Sequence, residues 1–592
     1  MIAAKGHGRR FLVGAGITIL VALVYWPVLR GGFVWDDKLC FHDAAWLRSG
    51  SAWTHYVFRD FCDWTSYFRP LAVAVLTVEV RVFDSAPGPM HAVSLALHLI
   101  NLLLVGVLAR TFLPHTAQES PWPAAMASLV YGLHPVLIEP VYWIGCQYEM
   151  LVTMFILLGL LASSLIEHKA LRAIAVAFGF FFAACAKEAA LAFPLLLILF
   201  DMTQGAQAKT APTTWRALLL ALWRRQHAVY LAVAVAGCVY LALRYWAIGL
   251  ALHQGTAEAL GPIARFQKII QAYLDYWKLL VWPMTGLGPI HPYDDGQFSA
   301  INISSLVNTL SVAAIVGCGL YAFWKRDALG TLILAVSAAL LPALHILPIA
   351  FSESLYHERY AMTALAVGCA LLPATLCRHA GYLPQRWLWA PALLAAAWLA
   401  LGVINIRVTL PLWSDELALW QWALREYPDS IVAKQHLLNK YVERNDRARA
   451  HELAYALISG NQQCPVCMLT IAYLALGEGD ATLAATAVDR IRNAPALPDD
   501  PLFLQEYILV IGGLRELQGQ PKAAEEAYRD AFAMAPLDPQ PAKRLALLLL
   551  REGALEQARL YSNMALSLLA ADERDAWRAT FERALTAPAP HQ

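Results

Sequence analysis

Eleven long apolar runs, all within the first 406 positions, constrain this chain more than any other feature. A helix that crosses a bilayer needs about 20 mostly apolar residues, fewer where neighbours shelter it. Segments 11–30, 91–112, 122–141, 147–166, 171–186, 188–203, 227–249, 303–324, 328–350, 357–377 and 387–406 meet that description. The composition agrees: 59% of the residues are hydrophobic and 15% charged, against about 45–50% and about 25% in soluble domains. A soluble enzyme, a disordered scaffold and a nucleic-acid binder resting on a basic surface are excluded. The net charge of +1 points to no anionic partner.

Positive charge orients the crossings. With Lys5, Arg9 and Arg10 on the cytoplasmic side, every cytoplasmic connection carries a cation. These are Arg110, Lys169 and Arg172, Lys209 through Arg225, Lys325 and Arg326, then Arg378 and Arg386. Alternation places loops 31–90 and 250–302 outside, and an odd number of crossings places the C-terminal part outside too. Segment Arg265–Pro283 is apolar on one side but carries Lys268, Asp275 and Lys278, so it is expected to lie in the interface. Tyr25-Trp26-Pro27 offers no signal-peptide cleavage site after the first run.

From Arg407 onward no long apolar run occurs, and the expected boundary is at 406/407. Four signals recur: Asn445 with Ala450, Gly479 with Ala484, Gly519 with Ala524, and Gly553 with Ala558. A small turn residue followed five positions later by Ala, here at intervals of 34, 40 and 34 residues, matches the period of tetratricopeptide helix pairs. Cys464 and Cys467 either bridge locally or sit as two core thiols, and Cys40 and Cys62 share the first external loop.

Chemistry concentrates at the external helix ends. Gly31-Gly32-Phe33-Val34-Trp35-Asp36-Asp37 sets two adjacent carboxylates just beyond the first crossing, where mutual repulsion gives one of them reason to act as a base. Arg69 precedes Pro70; His91, His98 and Asn101 fall on the next helix. His134-Pro135 is followed by Glu139, and Gln147 and Glu149 open the fourth crossing. Lys187-Glu188 interrupts an apolar stretch, Arg244 lies near the outer end of the seventh crossing, and Glu353, Glu358 and Arg359 flank the tenth. Singly, each reads as a salt bridge or a helix-end residue; together they converge on one membrane face with both signs present. That distribution disfavours a transporter, whose charges line a mid-membrane path.

A sugar carried on a polyprenyl phosphate has its head group at this interface and its tail in lipid. Its transfer needs a carboxylate to accept a hydroxyl proton and cations to hold the departing phosphate. Asp36 and Asp37 are the candidate base. Arg69, Lys187, Arg244 and Arg359 are the candidate clamp, and His91, His134, Glu139, Glu149 and Glu188 the neighbouring donor-site residues.

The ordered series Phe33-Val34-Trp35-Asp36-Asp37, Tyr67…Arg69-Pro70-Leu71, His91…His98…Asn101, His134-Pro135…Glu139 and Lys187-Glu188 resembles the transmembrane and tetratricopeptide-repeat O-mannosyltransferases and their bacterial relatives, within the GT-C glycosyltransferases. The resemblance covers residues 20–200 well. It extends more loosely through Tyr273…Pro283 and Glu353…Arg359 to Trp413-Ser414-Asp415 and the repeats. It implies an all-α fold, a GT-C membrane domain of about eleven spans followed by a tetratricopeptide-like solenoid in the same compartment as the site. The activity implied is inverting transfer from a lipid-phosphate sugar to a hydroxyl on a protein or envelope glycan. Where the family often has Arg and Asp after the His-Pro element, this chain has Gln147 and Glu149, so mannose does not carry over. The Ala-, Leu- and Arg-rich composition looks bacterial, which implies undecaprenyl phosphate, the inner membrane, a cytoplasmic N-terminus and periplasmic repeats. A divalent cation at the phosphate is compatible with this arrangement, and no nucleic acid enters it. The alternative is a non-catalytic, membrane-anchored tetratricopeptide scaffold for envelope assembly.

Overall fold

The computed structural model describes residues 2–38, 67–207, 212–249, 261–346, 354–379, 389–460, 463–495, 497–498, 501–536, 538–569 and 571–586. Cys40, Cys62 and Glu353 lie outside them. The described residues are helical and connecting segments, with no strand among them. They form two compact units, Met1–Ala423 and Leu424–Gln592. The hydropathy boundary at 406/407 therefore falls short of the packing boundary: Leu410, Trp413, Leu419 and Trp422 are buried in the core of the first unit.

That unit contains α1 (Ile2–Tyr25), α2 (Pro70–Phe83), α3 (Pro87–Phe112), α4 (Trp122–Gly132), α5 (Ile138–Tyr142), α6 (Gln147–Leu165) and α7 (Lys169–Ala186). It continues with α8 (Phe193–Gln207), α9 (Trp215–Ile248), α10 (Pro262–Val281), α11 (Ile303–Trp324), α12 (Ala328–Leu340), α13 (Met362–His379) and α14 (Trp389–Thr409). Among the described residues nine helices are long and apolar enough to cross a membrane, or ten if the bent pair α4–α5 counts as one span. Each of the eleven expected segments contains a helix, but two depart from a plain span. Segment 122–141 is broken by 52°, and segment 328–350 yields a shorter apolar helix, Ala328–Ala343. The first break follows from His134-Pro135. Proline has no N–H to continue the ladder, and polar backbone freed in an apolar setting must find other partners. His134 supplies them: its Nδ1 accepts from the Val136 N–H at 3.3 Å, and its Nε2 faces the Leu280 carbonyl at 3.1 Å.

The polar interruptions recur at three other helix starts. Short 3-10 turns Ile144–Cys146, Glu188–Ala192 and Glu358–Ala361 open α6, α8 and α13. Glu188–Ala192 and Glu358–Ala361 hold charged side chains, and Ile144–Cys146 lies between Trp143 and Gln147, next to backbone groups that a full helical turn would otherwise have paired.

The second unit is a series of helix hairpins: α15 (Ile431–Glu443) with α16 (Arg447–Ser459), α17 (Pro465–Glu478) with α18 (Ala481–Arg492), α19 (Pro501–Leu517) with α20 (Pro521–Met534), and α21 (Pro539–Arg551) with α22 (Leu555–Leu568), followed by α23 (Ala571–Thr586). Asn445, Gly479, Gly519 and Gly553 occupy the turns at φ 54°, 76°, 71° and 78°. The partner residues Ala450, Ala484, Ala524 and Ala558 are completely buried, each where a second helix packs. Cys464 and Cys467 are bridged at the start of α17.

An added Cβ at Gly479 meets nothing within 4 Å, so Gly479→Ala tests the backbone alone. The left-handed conformation costs an L-residue about 1–2 kcal/mol. Amide exchange in α17 and α18 is expected to quicken by about 5–30-fold, and unchanged protection would contradict the turn geometry.

Candidate active site

The turn that follows α1 is held by its neighbours in an unusual conformation. Gly31 lies where a Cβ would collide with the Tyr142 hydroxyl. Val34 is fully buried, and Trp35 takes φ 56°, a region a bulky residue seldom adopts. Its ring is stacked on Trp143 at 4.9 Å and meets Trp420 edge-on at 5.1 Å. Such strain persists only where the surroundings over-determine it.

The two aspartates separate completely. Asp37 is buried at 0% exposure, with Oδ1 accepting from the Gly145 N–H at 2.8 Å and Oδ2 from the Val34 N–H at 3.3 Å. Burial raises its carboxyl well above the usual range while these N–H groups oppose the shift. Expected as an alternative base, Asp37 is placed as a brace between the loop and the Ile144–Cys146 turn. Asp36, one residue earlier, is exposed. Its pKa is raised to about 6, first because the protein crowded around it displaces part of its hydration although solvent still reaches it, with the Arg359 guanidinium pulling it down and Glu416 pushing it up. The shift expected from repulsion between adjacent acids thus has another main cause.

Around this turn the acids and cations pair across helices. Arg359 donates closely to Glu139 through Nη1, and its backbone N–H donates to Glu139 Oε2 at 2.9 Å. Its guanidinium stands 4.9 Å from the centre of Trp143 and 4.7 Å from that of Tyr360. Lys187 donates closely to Glu149 and lies 4.1 Å from the Tyr360 ring centre. Arg69 donates from Nε and Nη2 to Glu188 Oε2 at 3.1 and 3.0 Å, between the rings of Tyr67 and Tyr148. Arg244 approaches the other oxygen of Glu188 at 3.5 Å. Stripping water from these groups is costly, so the pairing and the aromatic faces are what make their burial tolerable.

Arg69, Glu149, Lys187 and Glu188 line a cavity of about 440 Å³ together with Tyr67 and Tyr360. Apart from Thr363 the rest of the wall is apolar, including Leu191, Leu195, Leu341 and Ile346, all exposed on the outer surface of the unit. The cavity thus joins a charged lining to an apolar one.

Comparison with protein-family models, with curated proteins and with solved structures returned no match. The geometry stands by itself.

Other expected residues lie elsewhere. Neither aspartate is on the cavity wall, and Arg244 is not on it either but approaches Glu188, which is. His91 is buried with Nε2 3.2 Å from the Gly32 carbonyl, which ties α3 to the first turn. His98 faces the Gly132 carbonyl at 3.2 Å, and Asn101 donates to the Met150 carbonyl at 3.0 Å. With His134 at the α4–α5 break, these are helix-joining groups. Gln147 turns away from the cavity and donates to Glu79 at 3.1 Å, to Ser94 at 3.2 Å and to the Met90 carbonyl at 3.2 Å. Glu79 was not expected here; burial raises its pKa to about 7. Tyr148 and Tyr360 were also missed, although each adjoins a residue singled out for its charge. Among the described residues, no group of three or more His, Cys, Asp or Glu comes together as a metal site.

Proposed function

We propose that this chain is a multi-pass membrane glycosyltransferase of GT-C type. It moves a sugar from a polyprenyl-phosphate carrier to a hydroxyl on a protein or an envelope glycan. The observation that carries the reading is the cavity in which Arg69 and Lys187 meet an apolar wall ending in exposed Leu191, Leu195 and Ile346. A carrier with an anionic head and a greasy tail requires that combination.

Asp36 is the base. It accepts the proton of the acceptor hydroxyl as that oxygen bonds to the anomeric carbon. The bond from that carbon to the phosphate oxygen breaks from the opposite side, and the electron pair leaves on the lipid phosphate. Arg69 and Lys187 stabilise the departing charge, with Arg244 positioning Glu188 behind them. Burial and the guanidinium of Arg69 hold Lys187 well below its ordinary range; an arriving phosphate favours its charged form again. Arg359 joins the two halves, since its charge reaches Asp36 and its guanidinium covers Tyr360 on the cavity wall.

In this reading α4–α5 and Ala328–Ala343 both cross, making eleven spans, and the hairpins form a tetratricopeptide solenoid in the periplasm of a bacterium. The Cys464–Cys467 bridge supports an oxidising compartment for that unit. The direct test incubates membranes with a panel of labelled polyprenyl-phosphate sugars and asks which macromolecule gains label. Transfer from none of them, by protein that is correctly inserted, would leave the scaffold reading in its place.

The pKa of Asp36 sets a pH dependence. A base works only deprotonated, so kcat/KM is expected to rise about eightfold from pH 4.5 to 5.5 and to level above pH 7, with the midpoint near 6. A flat profile over this interval would remove Asp36 from that role.

A further inference from the structure

Glu79, Ser94 and Gln147 meet where α2, α3 and the start of α6 come together, and none of them is on the wall of the charged cavity. All three are buried. The hydrogens available there fall short of the acceptors. Gln147 Nε2 carries two and faces three acceptors: Glu79 Oε2 at 3.1 Å, the Met90 carbonyl at 3.2 Å and Ser94 Oγ at 3.2 Å. Ser94 directs its own hydrogen to the Met90 carbonyl at 3.5 Å. Glu79 Oε1 and Gln147 Oε1 remain, both buried and both without a donor. We infer that Glu79 is a proton-binding site: its carboxyl keeps a proton and donates it to the Gln147 side-chain oxygen, and this acid–amide pair clamps α2 onto α3 and α6.

An ionised Glu79 would meet no cation among the described residues; the one group that eases its charge is the Gln147 amide. On α2 itself, Arg81 is exposed and two positions away, on another face, and Arg69 before the first turn is held by Glu188. On α3, His91 is turned to the Gly32 carbonyl, and Arg110 is in the last turn. On α6, Glu149 takes Lys187, and Tyr148 lies against Arg69. On α7, Lys169 and Arg172 are in the first turn, where Arg172 is engaged by the Ile166 and Arg225 carbonyls. In the turn after α1, Asp37 accepts from Gly145 and Val34. A carboxylate buried without a cation takes up a proton instead.

The proton acts on the face of α2 that already packs. Leu76 and Val80 flank Glu79 on that face and lie against Met90 and Ile144. Because α2 starts directly after Arg69, the clamp also fixes the backbone that brings Arg69 to the cavity wall. Opening α2 returns Glu79 from a pKa of about 7 to its ordinary 4.5. The closed form binds the proton more tightly, so this contribution is complete below about pH 4.5 and is lost as pH rises to about 7. Opening stays a minor excursion at either extreme, since the apolar contacts and the Arg69–Glu188 pair still hold the helix, and the plateau expected for kcat/KM stands.

The test is hydrogen exchange of peptides covering 70–83 in the full-length protein in detergent, corrected for the intrinsic pH dependence of amide exchange. Protection is expected to fall on the order of 10–100-fold from pH 5 to pH 8, while peptides of α11 hold theirs. Glu79→Gln keeps a neutral side chain with a donor and is expected to give level protection over that range. Glu79→Leu, which has no proton to lose, is expected to be level too. A flat profile in the unaltered protein would overturn the inference and assign the missing donor to a buried water. A fall that persists in both variants would overturn it as well, since another group would then be titrating. None of these readouts depends on sugar transfer.

Discussion

Asp36→Asn is expected to lower sugar transfer by about 10²–10⁴-fold, the range a positioned general base contributes, while membrane insertion and thermal unfolding stay as in the unaltered protein. The contrast with its neighbour makes the experiment decisive. Asp36 is exposed and braces no backbone group among the described residues, so in the proposed mechanism removing its charge takes away chemistry rather than structure. Asp37 is fully buried, with both oxygens occupied by backbone N–H groups. Asp37→Ala leaves those donors unpaired at about 1–3 kcal/mol, and is expected to lower the unfolding temperature as well as the activity. Normal transfer by correctly inserted Asp36→Asn would remove the base, and with it the proposed mechanism.

The second large effect concerns the ion pair between Arg359 and Glu139, both about 1–2% exposed. Arg359→Leu strands the Glu139 carboxylate in the interior, and breaking a buried pair from one side costs about 3–5 kcal/mol. Because the two groups are in direct contact, their effects cannot add. The double variant Arg359→Leu with Glu139→Gln is expected to recover most of that loss, as read by thermal unfolding in detergent. Losses that simply sum would mean that the pair is not formed. Sugar transfer is expected to fail in the double variant even where stability returns, since Arg359 links Asp36 to the cavity.

Much of the architecture was legible along the chain because it rests on local periodicity. Asn445, Gly479, Gly519 and Gly553 announced their turns, since few residues tolerate positive φ, and the buried alanines followed at fixed spacing. The apolar segments were equally plain. Their ends were less so: His134-Pro135 marked a break, but composition could not show that α4 and α5 meet at 52°. Trp413 and Trp422 read as part of the polar half, yet they complete the membrane unit's core.

The site was legible as an inventory of charges, and there the linear order stopped helping. Asp36 and Asp37 are adjacent and chemically equal, so nothing local could say which is exposed and which is the brace. Gln147 and Glu149, two positions apart at a helix start, face different partners, Glu79 and Lys187. Hydrophobic pattern and turn chemistry are local properties, and the residues themselves determined a helical membrane unit followed by paired helices. Which carboxylate meets which cation, and which of them shares a cavity with an apolar wall, depends on packing between helices far apart in the chain; only the folded arrangement decided it.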